Sequence, residues 1–396
     1  MLISLALIVI FGLMFGFLCQ KLKIPALIGM LFTGIILGPY MLDLIDIKIL
    51  NISKELRQIA LIIILIKAGL SLDISDLKKV GRSAILLSFL PASFEILAYF
   101  IFARIFFHIK SIDALLMGSV LAAVSPAVVV PRMVKLIEEK RGVDKSIPQM
   151  ILAGSSCDDI FVLVLFSSFL SMAKGESVSF ISLINVPISI ITGVFFGSLI
   201  GFLLYLIFEF FYKKDDMIRN STKLIIMLAT AFLLVSIEDL VKSKIAFSGL
   251  LAVIAMSCVF KIKANDKVSS RLSEKFGKLW IFAEILLFVL VGAEVNISYI
   301  SKLGILSLIM IILALAIRSV GTLIAVTGSK LNKKEKLFTV FSYMPKATVQ
   351  AAIGAVPLAN GLESGNIILS MAVLSILITA PIGAIFIDNF YKKLLD

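Results

Sequence analysis

The sequence predicts an all-α membrane protein in which thirteen transmembrane helices form two inverted six-helix repeats joined by a linker helix. Three observations predict it. Hydrophobic residues make up 60% of the 396 and charged residues only 16%, with mean hydropathy +1.09 and 30 Phe, so polar mass is confined to loops. Assigning Lys and Arg to alternate sides of thirteen spans puts 26 on one side and 9 on the other, with Lys67, Arg318 and Lys346 left inside helices. Finally, residues 67–81, KAGLSLDISDLKKVG, align without gaps on residues 290–304, LVGAEVNISYISKLG, at an offset of 223. Identities fall at Gly69/Gly292, Ile74/Ile297, Ser75/Ser298, Lys79/Lys302 and Gly81/Gly304.

The spans centre near residues 10, 33, 63, 94, 122, 158, 195, 229, 252, 285, 315, 347 and 377, each with the run of about 20 apolar residues that a bilayer crossing needs. The first lacks a charged leader region and a small-residue cleavage site, so it reads as a retained helix rather than a signal peptide. The seventh, Val178 to Tyr212, is longer than one span and contains Pro187. It is the expected linker, which divides the chain into a first repeat (1–177, helices 1–6), the linker helix (178–214) and a second repeat (215–396, helices 8–13). The third and tenth spans, which carry the aligned segments, are seven spans apart and therefore run in opposite directions. The same offset pairs Leu27 with Leu250, Glu95 with Arg318, and Ser125 with Thr348. No appended domain is expected after the last helix.

The cation-rich side holds Arg132 to Lys145, Lys213 to Lys223, Lys261 to Lys278, Lys330 to Lys336 and the terminal Lys392 and Lys393. By the positive-inside rule that side is cytoplasmic, with the N-terminus outside and the C-terminus inside. The net charge of +12 therefore reflects topology, and no nucleic-acid partner is expected. Cys19, Cys157 and Cys258 are too few and too scattered for a disulfide framework or a cysteine metal site, and His108 stands alone in a loop.

Inverted repeats of this kind place their site near the midplane, where discontinuous helices meet. The fifth span reads VLAAVSPAVVVPRM, with Pro126 and Pro131; the twelfth reads FSYMPKATVQAAIGAVPL, with Pro345, Lys346, Thr348 and Gln350 at membrane depth. Proline removes a backbone donor and breaks the hydrogen-bond ladder, freeing carbonyls that only protein or a wet cavity can satisfy. Two spans broken at repeat-related places, helices 5 and 12, are thus expected to cross at the site.

The strongest functional signal lies in the sixth span, where Asp158 and Asp159 are adjacent within an otherwise apolar stretch from Ser146 to Ala173. A carboxylate at mid-membrane costs roughly 2.5–3.5 kcal/mol on insertion scales, so two in succession point to a cavity that binds something positive. Neighbours on a helix point about 100° apart, so their roles should differ while their titrations stay coupled. A carboxylate that holds either a proton or a small hard cation is what exchange requires. Oxygen ligands favour Na⁺ or Li⁺, with Ser125, Ser155, Ser156, Thr348 and the freed carbonyls as helpers. Glu95 and Arg318, opposite in sign and repeat-related, should meet as an ion pair that steadies the core. Lys346 should either neutralise the carboxyl end of a half-helix or counter Asp158. Lys67 and Glu284 sit near the cytoplasmic ends of their helices and are expected to reach toward the interface.

At SSCDDI (155–160), LVGAEVNIS (290–298) and above all MPKATVQAAIG (344–354), the chain resembles the monovalent cation/proton antiporter superfamily. The similarity is to its paired-aspartate branch and its Nha-type sodium/proton antiporters, which include animal mitochondrial and plasma-membrane members. The resemblance implies a homodimer of the thirteen-helix, 6+1+6 inverted-repeat fold with an elevator-type mobile core, Na⁺ (or Li⁺) and H⁺ as transported substrates, and no cofactor. It also implies Asp159 as principal cation ligand, Asp158 as its partner, Glu95 paired with Arg318 nearby, and Lys346 in the core. Arg318 departs from clearly electrogenic relatives, which carry a Lys there. Arginine keeps its proton, so two protons per cation are not guaranteed, although exchange through both aspartates leans toward an electrogenic cycle. The expected setting is a bacterial inner (cell) membrane and its lipid.

A K⁺/H⁺ exchanger of the same fold is the nearest rival reading, followed by a sodium-coupled organic-solute carrier. An intramembrane aspartyl protease, an enzyme, is disfavoured because its two carboxylates must face each other from different helices.

Overall fold

A computed structural model describes residues 1–22, 24–71, 74–174, 180–213, 219–241 and 247–395. The expected segment boundaries at 177/178 and 214/215 lie outside the described residues, as do the side chains of Pro131, Ser156 and most of the two aligned segments. All regular structure among the described residues is helical. In chain order the helices are α1 (Leu2–Lys21), α2 (Ala26–Leu37), α3 (Ile47–Asn51), α4 (Ser53–Ser71), α5 (Ile74–Leu87), α6 (Leu90–Phe107), α7 (Ser111–Ala122), α8 (Pro126–Glu138) and α9 (Ile147–Ala173). They continue with α10 (Phe180–Lys213), α11 (Asn220–Val241), α12 (Gly249–Lys263), α13 (Asp266–Ala293), α14 (Ile297–Ala325), α15 (Lys333–Ser342), α16 (Thr348–Ile353), α17 (Val356–Ala359) and α18 (Gly365–Leu394).

Eight helices among the described residues are long and apolar enough to cross a membrane, and Ala26–Leu37, Ser111–Ala122 and Thr348–Ala359 are shorter apolar helices. The last two adjoin the chain breaks. Ala123 (φ −65°, ψ 140°) and Ser125 (φ −90°, ψ 109°) are extended, and Pro126 opens α8 in the first turn, where its missing N–H costs nothing. Residues 343–347 interrupt the twelfth span in the same way, with Pro345 inside the gap and Ala347 (φ −163°, ψ −78°) leading into α16.

The chain separates into two compact units. One comprises Met1–Lys54, Asp73–Lys174 and Leu287–Asp396, and the other comprises Glu55–Leu72 and Gly175–Leu286. Within the first, α6 packs on α7 and α14, while α9 packs on α5, α7 and α8. Within the second, α12 packs on α10 and α11. Where lipid solvates outer surfaces, helix association depends on close approach through small residues, and the glycines show it. A Cβ on Gly69 would stand 2.7 Å from the Ile254 carbonyl oxygen, and one on Gly292 would stand 2.3 Å from that of Leu31. Each residue of the first contact is 223 positions from one of the second. Gly81 (φ 66°, ψ −150°) and Gly304 (φ 54°, ψ −149°), also 223 apart, interrupt α5 and α14 with the same backbone conformation, one that L side chains rarely adopt.

Gly292→Ala should therefore push α13 off α2 and cost about 1–3 kcal/mol, read as a lower melting temperature in detergent. Gly277→Ala, with nothing within 4 Å of the added methyl, should leave it unchanged or raise it slightly through helix propensity. Equal behaviour of the two variants would contradict this packing.

Candidate functional site

The two breaks meet within the first unit, and the polar groups they free are satisfied by each other and by a few side chains. The Ser125 amide donates to the Pro345 carbonyl at 2.8 Å, joining break to break. The carbonyl end of α7 receives three side chains from the second half of the chain. Lys346 Nζ donates to Ala122 O at 3.0 Å, Arg318 Nη1 donates to the same oxygen, and Gln350 Nε2 donates to Ala123 O at 2.8 Å and Leu121 O at 3.3 Å. Positive charge at a helix C-terminus also offsets its dipole. The Lys346 amide donates to Thr379 Oγ1 at 2.9 Å. Gly383 lies so close that a Cβ there would be 2.3 Å from the Pro345 ring, so α18 backs the second break.

Arg318, 1% exposed, is the common partner. Its Nε donates to the Tyr343 carbonyl at 2.7 Å, its Nη1 to Glu95 Oε2 at 2.7 Å, and its Nη2 to Asp158 Oδ2 at 3.3 Å. The guanidinium carbon stands 5.7 Å from the Tyr343 ring centroid, within cation–π range. Glu95 Oε2 also takes Lys346 Nζ at 2.5 Å. Glu95 and Arg318 are thus brought together as one buried pair, with Lys346 as a third member. Of the two alternatives read from the sequence for Lys346, its contacts match the first: it sits on the α7 carbonyl end and on Glu95, and Arg318 is the cation in contact with Asp158.

The aspartates differ. Asp158 is fully buried, and its Oδ2 accepts from Arg318 and from the Val124 amide at 2.8 Å, while Oδ1 has no hydrogen-bond partner among the described residues. Asp159 is half-buried, its Oδ1 has no hydrogen-bond partner, and no ion pair to it is formed among the described residues. Ser125 Oγ is buried and has no hydrogen-bond partner among the described residues. The Ser155 hydroxyl donates to Leu152 O at 3.1 Å within its own helix and retains its acceptor capacity. Thr348 is buried at the first position of α16. No three His, Cys, Asp or Glu side chains gather as a metal-holding group among the described residues. The arrangement instead offers oxygen atoms, two of them carboxylate, to a small hard cation or a proton. In the second unit, Lys67 of α4 and Glu284 of α13 lie within electrostatic reach of each other, both half-buried.

Sequence reasoning missed the Arg318–Asp158 contact, which no spacing along the chain announces, and the parts played by Gln350 and Tyr343. Gln350 stood inside the quoted motif, and its amide at membrane depth was the available signal.

A family model described as sodium/hydrogen exchanger, transmembrane, matches residues 4–393. The sodium/hydrogen exchanger 9B2 of Xenopus tropicalis is 33% identical over 96% of this chain and 72% of its own length, and that of Mus musculus is 33% identical over 94% and 69%. Both are vertebrate proteins and lend no support to a bacterial cell membrane as the setting. Among solved structures, the sodium proton antiporter MjNhaP1 from Methanocaldococcus jannaschii superposes with a TM-score of 0.84 over 98% of this chain and 97% of its own, at 23% identity, a likeness of fold. Family members are integral membrane transporters rather than enzymes, moving Na⁺ and H⁺ as substrates without a cofactor. Matched by the family model over nearly its whole length and a third identical to such exchangers along almost all of it, the chain belongs to the transmembrane sodium/hydrogen exchanger family of cation/proton antiporters.

Proposed function

We propose that this protein exchanges Na⁺ (or Li⁺) for H⁺ by alternating access, with the exchanging ions held at Asp159 and Asp158 and helped by Ser125, Ser155 and Thr348. One observation carries the reading. Three carboxylates (Glu95, Asp158, Asp159) share a site with two fixed cations (Arg318, Lys346), and the ion pairs among the described residues use Glu95 and Asp158, leaving Asp159 uncompensated there. A buried negative charge of that kind demands a mobile positive partner, and a proton or a monovalent cation each satisfies it.

The same inventory bears on stoichiometry. Arg318 holds its proton and keeps Asp158 paired, so Asp158 helps hold the cation while Asp159 alone takes and releases the proton, and exchange is one for one. This moves the reading away from the electrogenic cycle that two free aspartates suggest. The thirteen-span inverted repeat is favoured by the reciprocal Gly69–Ile254 and Gly292–Leu31 contacts and the matched Gly81 and Gly304 kinks. The homodimer and elevator motion rest on the family resemblance, and the cytoplasmic C-terminus rests on the charge bias of the loops.

Asp159→Asn should abolish Na⁺-driven proton movement in liposomes, down to the level of protein-free vesicles, while leaving the melting temperature equal or higher, because it removes an uncompensated buried charge. Normal exchange by the folded variant would refute the assignment. Glu95→Gln should destabilise the protein by about 3–5 kcal/mol, since it strands Lys346 and half-strands Arg318. Adding Lys346→Met should recover part of that loss. Strictly additive losses of melting temperature would contradict a shared charge cluster.

A further inference from the structure

Tyr343 is fully buried, and its hydroxyl has no hydrogen-bond partner among the described residues. Buried tyrosine hydroxyls ordinarily find one, and an unsatisfied buried polar group in a native protein calls for a functional or state-dependent explanation. Packing explains the ring. It lies in an apolar cluster with Leu87, Val129, Ile151 and Phe338. The hydroxyl is a separate matter, because the chain makes room for it. A Cβ on Gly154 would stand 2.1 Å from the hydroxyl oxygen, 2.9 Å from the Leu87 Cβ and 3.4 Å from the ring carbon that bears the hydroxyl, so the glycine in the middle of α9 makes room for the oxygen, its nearest neighbour, and for Leu87, rather than for the ring. Glycine there weakens the helix, which makes an accidental vacancy a poor explanation.

Gly154 precedes Asp158 by one helical turn, on the same face of α9. The Tyr343 ring centroid stands 5.7 Å from the Arg318 guanidinium carbon, and that guanidinium contacts Asp158. Among the described residues each aspartate has a buried Oδ1 with no donor, and the phenol is a buried donor with no acceptor. Tyr343 is also tied to the charge cluster at its other end. Its carbonyl accepts from Arg318, the residue that contacts Asp158, so a shift of Arg318 carries Tyr343 and Asp158 together.

Resting on the exchange reading above, we propose that the Tyr343 hydroxyl is a positioning group of the ion site, donating a hydrogen bond to the Asp158–Asp159 pair during the cycle and favouring its ionised, cation-accepting form. The direction of its effect follows from hydrogen-bond chemistry. A donor to a carboxylate favours the ionised state, so its removal lets protons compete with Na⁺ at higher pH.

The test is apparent KM for Na⁺ against pH in liposomes for wild type, Tyr343→Phe, Gly154→Ala and the double variant. Wild type should show KM rising as pH falls; a flat curve would count against proton–cation competition itself, separately from the role of Tyr343. Tyr343→Phe should displace the curve toward alkaline pH, raising KM about three- to tenfold at a pH where protons compete. Gly154→Ala, which evicts the hydroxyl, should give the same displacement, and the double variant no more than either alone. Gly154→Ala should also lower the melting temperature less when combined with Tyr343→Phe than in wild type. A Tyr343→Phe curve superimposed on wild type, or displaced toward acid, would overturn the proposal. If Tyr343→Phe fails to fold, Gly154→Ala decides alone: an unshifted or acid-shifted curve overturns the proposal, and an alkaline shift supports it.

Discussion

Inside a bilayer no water is available to a freed carbonyl, and this chain frees several at once by breaking two helices in the same place. Arg318 is the residue on which the solution depends. One guanidinium caps the end of α7 at Ala122, holds the Tyr343 carbonyl of the other break, and pairs with Glu95 and Asp158. Lysine could supply the charge but not the planar fork that reaches four oxygens on four separate segments. Lys346 and Gln350 complete the capping from the second half of the chain. The breaks are thus stabilised only as a crossed pair, each supplying what the other lacks.

The same economy sets the chemistry. Buried charges that serve structure must be paired, and those that serve transport must not be permanently paired. Glu95, Arg318, Lys346 and half of Asp158 belong to the first class. Asp159, half-buried and without an ion-pair partner among the described residues, belongs to the second under the exchange proposed above. Under that exchange, adjacent positions on one helix divide the labour, with Asp158 held against the cap of α7 and Asp159 left for the mobile ion.

Much of this was legible in the sequence, because the bilayer leaves few ways to hide a charge. The apolar spans, the prolines at 126 and 345, the aspartate pair and the 223-residue relation between Glu95 and Arg318 are all local or periodic signals. In the structure the two spans break at these prolines, and Glu95 and Arg318 are in contact. What the sequence concealed depends on three-dimensional proximity between segments with no shared spacing. Arg318 reaching Asp158 across 160 positions, Gln350 capping α7, and the Tyr343 hydroxyl lodged beside Gly154 leave no periodic trace. The two compact units each join segments that are distant along the chain, which no local signal announces.

The central claim is that a single uncompensated carboxylate trades one monovalent cation for one proton while Arg318 keeps the second aspartate engaged. It is tested most directly by Na⁺-driven proton flux in liposomes, with the membrane potential clamped by potassium and valinomycin at values from zero to strongly negative inside. One-for-one exchange moves no net charge, so initial rates should be indifferent to the clamp. Rates that change systematically with potential, together with net charge displacement during turnover, would show that both aspartates exchange protons and would contradict the assignment of Asp158 to the fixed network.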